Sequence, residues 1–502
     1  MTQAISKIVI LGGGTAGWMA AATLNRFLAK QQKTEICVVE STQVGTVGVG
    51  EATLPGIRDF NNYLGIDEVD FIRKTRATFK LGIEFKDWNK LGKSFFHPFS
   101  SYGAPINNIE FHQHFRKLQL SGENLALEDY ALAAAMAKRG RFAQPHPKPP
   151  SPLADYHYAF HFDAVLYAGY LKQLSTSRGV KHFDDLVVGV EQHPDTGFIE
   201  NVQLKSGQTL EADLFIDCSG FRGLLIEETL KTGYEDWSHW LACNSAVAVQ
   251  TELSTPPNSF TKTQALGCGW QWNIPLQSRM GNGYVYSDQF ISDEQATNTL
   301  LNNVAGAALT SPKVLKFTTG RRNKFWNKNC VALGLASGFL EPLESTSISM
   351  IQTGLLRLMK FFPHNGFNHA EQAEANRVAQ NEAERIRDFL ILHYKASQRD
   401  DTVFWRQMNS MTIPESLSHK IEVFKSKGYL VKYEEESFQD ASWLTMYNGF
   451  DIQSTHYDPA ADFVRDDQLA THFRQMKTSI ENAAEAAMEH QKFINKHCAS
   501  DL

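Results

Sequence analysis

The chain has 502 residues, of which 42% are hydrophobic and 21% charged, with a formal net charge of -6. That length allows two or more packed layers, as one interwoven unit or as separable domains, and the absence of a basic surplus argues against nucleic acid as a partner. The six cysteines (Cys37, Cys218, Cys243, Cys268, Cys330 and Cys498) show neither zinc-knuckle nor redox spacing, so reduced intracellular thiols and no metal site are expected.

The opening MTQAISKIVILGGG lacks a cationic region followed by a long apolar stretch, and no window approaches the ~18 apolar residues of a membrane span, so a cytoplasmic protein that does not engage a membrane is expected. KIVILGGGTAGWMAAATLNRFLAKQ reads as a buried strand over 8–11, a glycine turn and a helix to about Ala29. EICVVE is then a second apolar strand ending on Glu40. This βαβ opening suits a dinucleotide. Gly12 permits the tight turn, Gly14 lets backbone approach a pyrophosphate, and Gly17 lets the helix pack against the sheet. Thr15 and Ala16 open that helix, whose N-terminus faces the phosphates, and Glu40 accepts from ribose hydroxyls.

Further along, GVGEATLPGIRDF starts a helix and FKLGIEFKDW reads as one strand. Its alternation puts Phe79, Leu81 and Ile83 on one face and Lys80, Gly82 and Glu84 on the other. AQPHPKPPSP, residues 143–152, carries too many prolines for a helix or central strand and is expected to be an exposed, extended loop. HFDAVLYAGYLKQLS has helical spacing, and VKHFDDLVVGVEQ and DLFIDCSG are two further strand candidates. Residues 240–320 look strand-rich, and from about Ala370 the periodicity is mainly helical.

Five stretches then carry a resemblance: GGGTAGWMAA (12–21), GVGEATLP (48–55), FKLGIEF (79–85), GWQWNIP (269–275) and GFLEPLESTSI (338–348). The glycine fingerprint is common to many flavoproteins, but the other stretches together are specific. The chain resembles the flavin-dependent halogenases of the tryptophan-halogenase type over nearly its whole length. The resemblance implies an α/β fold in which an FAD-binding, Rossmann-like and flavin monooxygenase-like domain is interleaved with a substrate-binding domain of strands and helices. We expect the first to comprise residues 1–80, 155–230 and 325–370, and the second residues 81–154, 231–324 and 371–502. The implied chemistry uses FADH2, supplied by a separate NAD(P)H-dependent flavin reductase, together with O2 and chloride or bromide. A flavin hydroperoxide oxidises the halide, and hypohalous acid passes through a tunnel to a small aromatic substrate. A monomer or homodimer is expected.

By resemblance, Glu51, Val187, Leu335 and Ile348 join the glycine turn in holding FAD, and 338–348 is a strap that crosses the flavin and leads to the arene. Backbone amides of Thr346 and Ser347 cradle the halide as a small anion nest, with Ser347 standing where the family more often has Gly. Lys80 ends between flavin and substrate, where its ammonium donates to hypohalous acid or its amine forms a haloamine; alone, a strand lysine is a solvated charge. Glu344 matches the carboxylate that stabilises the arene cation and accepts the ring proton; alone, it reads as a helix N-terminal acid. Trp270 and Trp272, at i and i+2 on a strand, share a face. Their bulk either bars arenes from the flavin, leaving halide as the nucleophile, or serves only as scaffold.

His97 and Phe99 match a His-x-Phe element that lines the arene compartment, and Trp443 is a third candidate wall. Tryptophan-specific relatives grip the amino acid with a Glu and a nearby Phe-Trp ahead of a Tyr-rich helix. VKYEEESFQDASWLTMYNGFD is shorter there, and Tyr433, Glu436, Phe438 and Trp443 are only possible substitutes. A zwitterion without matched partners loses ~1 to 3 kcal/mol per unpaired polar group. Indole or an indole derivative is therefore expected over free tryptophan. The alternatives are a tryptophan halogenase and a flavin monooxygenase that hydroxylates an aromatic substrate.

Overall fold

In the computed structural model, which describes residues 5–29, 34–43, 50–364 and 366–500, the part that contains the N-terminal βαβ unit is built on apolar runs buried from both sides. Ile8, Val9 and Ile10 in the strand Lys7–Leu11 are fully buried, as a mostly parallel sheet covered on both faces requires. The six-stranded sheet runs in the order Trp326–Asn327, Cys330–Ala332, Leu214–Asp217, Lys7–Leu11, Glu35–Glu40, Lys181–Asp184. Every neighbouring pair is parallel save the first. The helix Thr15–Leu28 lies against this sheet through Trp18, Met19, Ala20 and Leu24. Its approach needs glycine: Gly12 has φ +113°, and a Cβ on Gly17 would lie 1.8 Å from the Gly12 carbonyl oxygen.

A second, seven-stranded sheet orders Lys313–Lys316, Ser245–Thr251, Met280–Tyr286, Gly269–Pro275, Thr261–Leu266, Gly82–Lys86 and Ser94–Pro98. A small antiparallel sheet orders Gly50–Ala52, Ala159–Asp163 and Thr78–Lys80, with the last at its edge. The C-terminal part is helical, with His369–Lys395, Val403–Ser410, Glu415–Lys427, Asp440–Gly449, Asp466–Ala486 and His490–His497.

Three local expectations are corrected. FKLGIEFKDW is two strands, because the chain leaves the small sheet at Lys80 and enters the seven-stranded one at Gly82. Between them the Leu81 amide donates to Ser259 O at 2.7 Å and its carbonyl accepts from the Phe99 amide at 2.8 Å. Simple alternation therefore fails, and Lys80, Leu81 and Ile83 are all buried. VKHFDDLVVGVEQ also divides, into an edge strand of the large parallel sheet and Val187–Gln192, which pairs with Ile199–Leu204 elsewhere. HFD ends a strand, and Asp163 caps the helix Ala164–Ser177 by accepting from the Val165 and Leu166 amides. The proline-rich 143–152 segment is mostly exposed and irregular, as expected.

Among the described residues no helix is long and apolar enough to cross a membrane, and the six cysteines are unpaired. Gly17→Ala should destabilise the protein by about 1–3 kcal/mol through overpacking against backbone, and should weaken FAD retention; thermal melting and flavin absorbance after gel filtration check both.

Candidate active site

The expected dinucleotide cradle is the turn after Lys7–Leu11. The helix Thr15–Leu28 starts at Gly14 with no side-chain cap and no acidic residue in its first turn, leaving its amides free for an anion. The Glu40 carboxylate closes over this turn, since a Cβ on Gly13 would lie 1.5 Å from Glu40 Oε2. Its Oε1 accepts from Lys172 at 2.6 Å and lies 2.8 Å from His182 Nε2, which fixes the carboxylate beside the turn. A Cβ on Gly334 would meet Ala16 Cβ at 2.8 Å, so the turn Gly334–Ala336, with Leu335 in it, abuts the helix start. These residues fit FAD. Burial raises the Glu51 carboxyl to about 7. Val187 and Ile348 are buried. The Gln352 amide nitrogen, also buried, has no partner among the described residues. Gly48 and Val49 of the GVGEATLP stretch lie outside the described residues.

The strap leaves this half at Gly338–Phe339, passes through a tight turn at Pro342–Glu344, and enters the helix Thr346–Lys360 through Ser345 at φ 61°. That left-handed residue reverses the chain so that neighbouring side chains diverge. Ser345 Oγ accepts from Lys80 Nζ at 2.8 Å, and Thr53 O accepts a second bond at 3.0 Å. Lys80 is fully buried, with its ammonium 5.1 Å from the centre of the Phe99 ring. Burial pulls its amine down to about 7, against the opposing charge of Glu344. Thr346 and Ser347 open the helix with uncapped amides, and buried Thr346 Oγ1 has no partner among the described residues.

Glu344 is also fully buried, between two imidazoles. His97 Nδ1 lies 3.0 Å from Oε2 and 3.2 Å from Oε1, and His393 Nε2 lies 2.9 Å from Oε1. Burial alone would raise this carboxyl, but the charge of His97 and the bonds from His393 and His97 outweigh it and hold it at about 2. His393 Nδ1 faces the Phe389 carbonyl at 2.8 Å. Both ring nitrogens of His393 therefore face oxygen atoms, the Phe389 carbonyl and the Glu344 carboxylate. His97 Nε2 meets Ser442 Oγ at 2.9 Å, so His97 is held at both nitrogens and braces the carboxylate.

Trp270 and Trp272 do share a face, with ring centres 6.0 Å apart. Trp270 is 1% exposed and donates to Glu341 Oε2 at 2.8 Å, which ties the indole pair to the strap. Tyr394 Oη donates to the same oxygen at 2.5 Å, while Glu341 Oε1 is buried without a partner among the described residues. Burial pushes the Glu341 carboxyl up to about 7. Two carboxyls three residues apart thus sit in opposite electrostatic settings.

Trp443, 3% exposed, stands edge-on to Phe389 at 5.0 Å, and Phe389 stacks on Phe438 at 3.8 Å. Of the possible zwitterion clamp, Glu436 accepts from buried Lys420 at 2.5 Å, and Tyr433 Oη lies 2.6 Å from His419 Nδ1. The structure thus joins Lys80, Phe99, His97 and Glu344 around one strap. Sequence reasoning missed Thr53, Ser345, Glu341, His393 and Tyr394. Thr53 acts through its carbonyl, for which side-chain chemistry offers no sign; Glu341 and Ser345 lay inside a quoted stretch, and the spacing of two glutamates around Pro-Leu was the available signal.

A glycine cradle joined by one strap to a buried ammonium and carboxylate defines a flavin-dependent oxidoreductase of the halogenase class. The model of the family described as "Tryptophan halogenase" matches residues 7–466, and the chain belongs to that family. Its chemistry uses FADH2, halide and O2, generally with a separate flavin reductase. BrvH, a flavin-dependent halogenase from Brevundimonas sp. BAL3, superposes with a TM-score of 0.95 at 44% identity, covering 98% of this chain and 99% of that one. A flavin-dependent halogenase from Xanthomonas campestris gives 0.95 at 42% identity, covering 99% of each chain. Tryptophan 6-halogenase SttH from Streptomyces toxytricini is 36% identical over 454 residues, 84% of each chain.

Because the folded Lys80 amine lies below its unfolded value of about 10.4, the unfolded chain binds more protons between about 7 and 10. Its contribution to stability therefore rises with pH across that window and is lowest beneath it. Lys80→Met should melt higher than the parent at pH 7, with the gap closing by about pH 10; calorimetry across that range checks the sign.

Proposed function

We propose that the protein halogenates indole or a substituted indole rather than free tryptophan, using hypohalous acid guided by Lys80. When bound, FADH2 with O2 supplies the oxidising equivalent that turns halide into hypohalous acid. The observation that carries the reading is the bond from Lys80 Nζ to Ser345 Oγ, which places a buried ammonium next to the Glu344 carboxylate on the strap. Thr346 and Ser347 amides hold the halide at the helix start. Lys80 keeps one position beyond its bonds to Thr53 O and Ser345 Oγ with which to orient the oxidant. The ionised Glu344 beside it favours the ammonium form.

Electrophilic attack places positive charge on the ring, and the fixed anion of Glu344 stabilises it. Oε2 has one partner against two on Oε1, so Oε2 takes the ring proton as the C–H electron pair returns to the arene. Trp270 holds the strap through Glu341 and, with Trp272 beside it, keeps arene away from the flavin. His97, Phe99 and Trp443 border the ring. Tyr433 is engaged by His419 and Glu436 Oε2 by Lys420, so a zwitterion's ammonium meets only Glu436 Oε1, on a carboxylate whose charge Lys420 already balances.

Indole and tryptophan in equal amounts, incubated with a flavin reductase, FAD, NADH and bromide, should give brominated indole in about tenfold excess. Brominated tryptophan in excess would favour the activity named for SttH, and gain of one oxygen would favour a monooxygenase. Lys80→Ala should keep binding FAD and consuming O2 yet lose product about a hundredfold, and Glu344→Gln should lower the rate by a similar factor. Product formation by the parent should fall as pH rises through about 7; a rise would assign the neutral amine as the acting form.

A further inference from the structure

Thr78–Lys80 is an edge strand of three residues, paired with Ala159–Asp163 through Thr78 with His161, Phe79 with Phe160 and Lys80 with Ala159. Among the described residues its other edge meets no strand. There the Phe79 amide donates to His490 Nε2 at 3.3 Å, and the next outward amide, Leu81, donates to Ser259 O. His490 Nδ1 lies 2.8 Å from Pro257 O, a carbonyl that can only accept. This fixes the tautomer: Nδ1 carries the proton and Nε2 presents its lone pair to Phe79. The ring is 1% exposed, and burial lowers His490 to about 4, so this state holds throughout the working pH range.

The imidazole is itself anchored. The His490 amide donates to Gly140 O, Met488–Glu489 pairs with Arg141–Phe142, and Phe142 stacks on Phe79 at 4.1 Å. Phe493, one turn along the same helix, meets Phe79 edge-on at 5.3 Å. This helix, His490–His497, lies beyond residue 466, where the match to the family model ends.

We propose that His490 is a positioning residue for Lys80: by fastening the Phe79 amide on the free edge of the lysine's strand, the C-terminal helix sets where the ammonium meets the oxidant. The inference rests on the reading of Lys80 as the oxidant's guide. The two bonds of the imidazole can be separated. His490→Gln puts an acceptor oxygen near the Nε2 position and restores the bond to Phe79. His490→Asn puts a donor near the Nδ1 position, keeps Pro257 and leaves the Phe79 amide unpaired.

The assay is the fraction of consumed O2 recovered as brominated arene by the holoenzyme, using whichever of indole and tryptophan the parent brominates better, with melting temperature, FAD affinity and arene KM measured alongside. His490→Asn should lower that fraction about tenfold, by displacement of the reacting group, with escaped hypobromous acid rising and KM unchanged. His490→Gln should stay close to the parent. Equal values for the Asn and Gln variants, or a loss in Asn that only tracks its folded fraction, would overturn the positioning role. Lys80→Ala run beside them separates the premises. Full product from it would overturn the reading of Lys80 itself, whereas its failure beside a parent-like His490→Asn would overturn the role of His490 alone.

Discussion

The structure depends on keeping two opposite charges away from water without letting them neutralise each other directly. A buried ammonium or carboxylate is costly unless hydrogen bonds replace its hydration. Lys80 receives a carbonyl and a hydroxyl, and Glu344 receives two imidazoles. The consequences differ. Burial leaves the lysine near its titration point despite its two acceptors, while the imidazoles hold the carboxylate ionised against its own burial. One group can thus exchange protons near neutral pH, and the other rests as an anion.

The strap makes these two environments into one device. Glu341 is tied to Trp270 and Tyr394, Glu344 to His97 and His393, and Ser345 to Lys80. His393 and Tyr394 are adjacent in one helix, so that helix grips the strap at both glutamates. A displacement felt at the tryptophans is therefore transmitted to the carboxylate through covalent chain and a shared helical support. The two glutamates face different partners because Pro342 and the left-handed Ser345 turn the chain tightly around them.

Much of the nucleotide-binding half was legible because it uses local rules. Glycines at a strand-to-helix turn and an acid at the next strand end occur where backbone crowding demands them, and the apolar run of residues 8–11 signals burial on both faces. The surroundings of the proposed catalytic pair were legible only through the resemblance. Lys80 has no local mark of burial: its strand is three residues long, and the alternation read across Leu81 belonged to two different sheets. His393 lies in a long helix whose sequence would accept a histidine in any core. Its importance comes from a carboxylate 49 positions away in the chain, a distance over which periodicity carries no information.

The handover at Leu81 constrains how this chain can vary. Because the backbone changes sheets within a single residue, with one neighbour serving each of its polar groups, the segment has no slack in which to absorb a change of length. An insertion or deletion between Phe79 and Gly82 would rotate the lysine away from the strap or break the entry into the larger sheet. Recombination with a relative should therefore tolerate junctions in the exposed proline-rich segment at 143–152 far better than at this pivot.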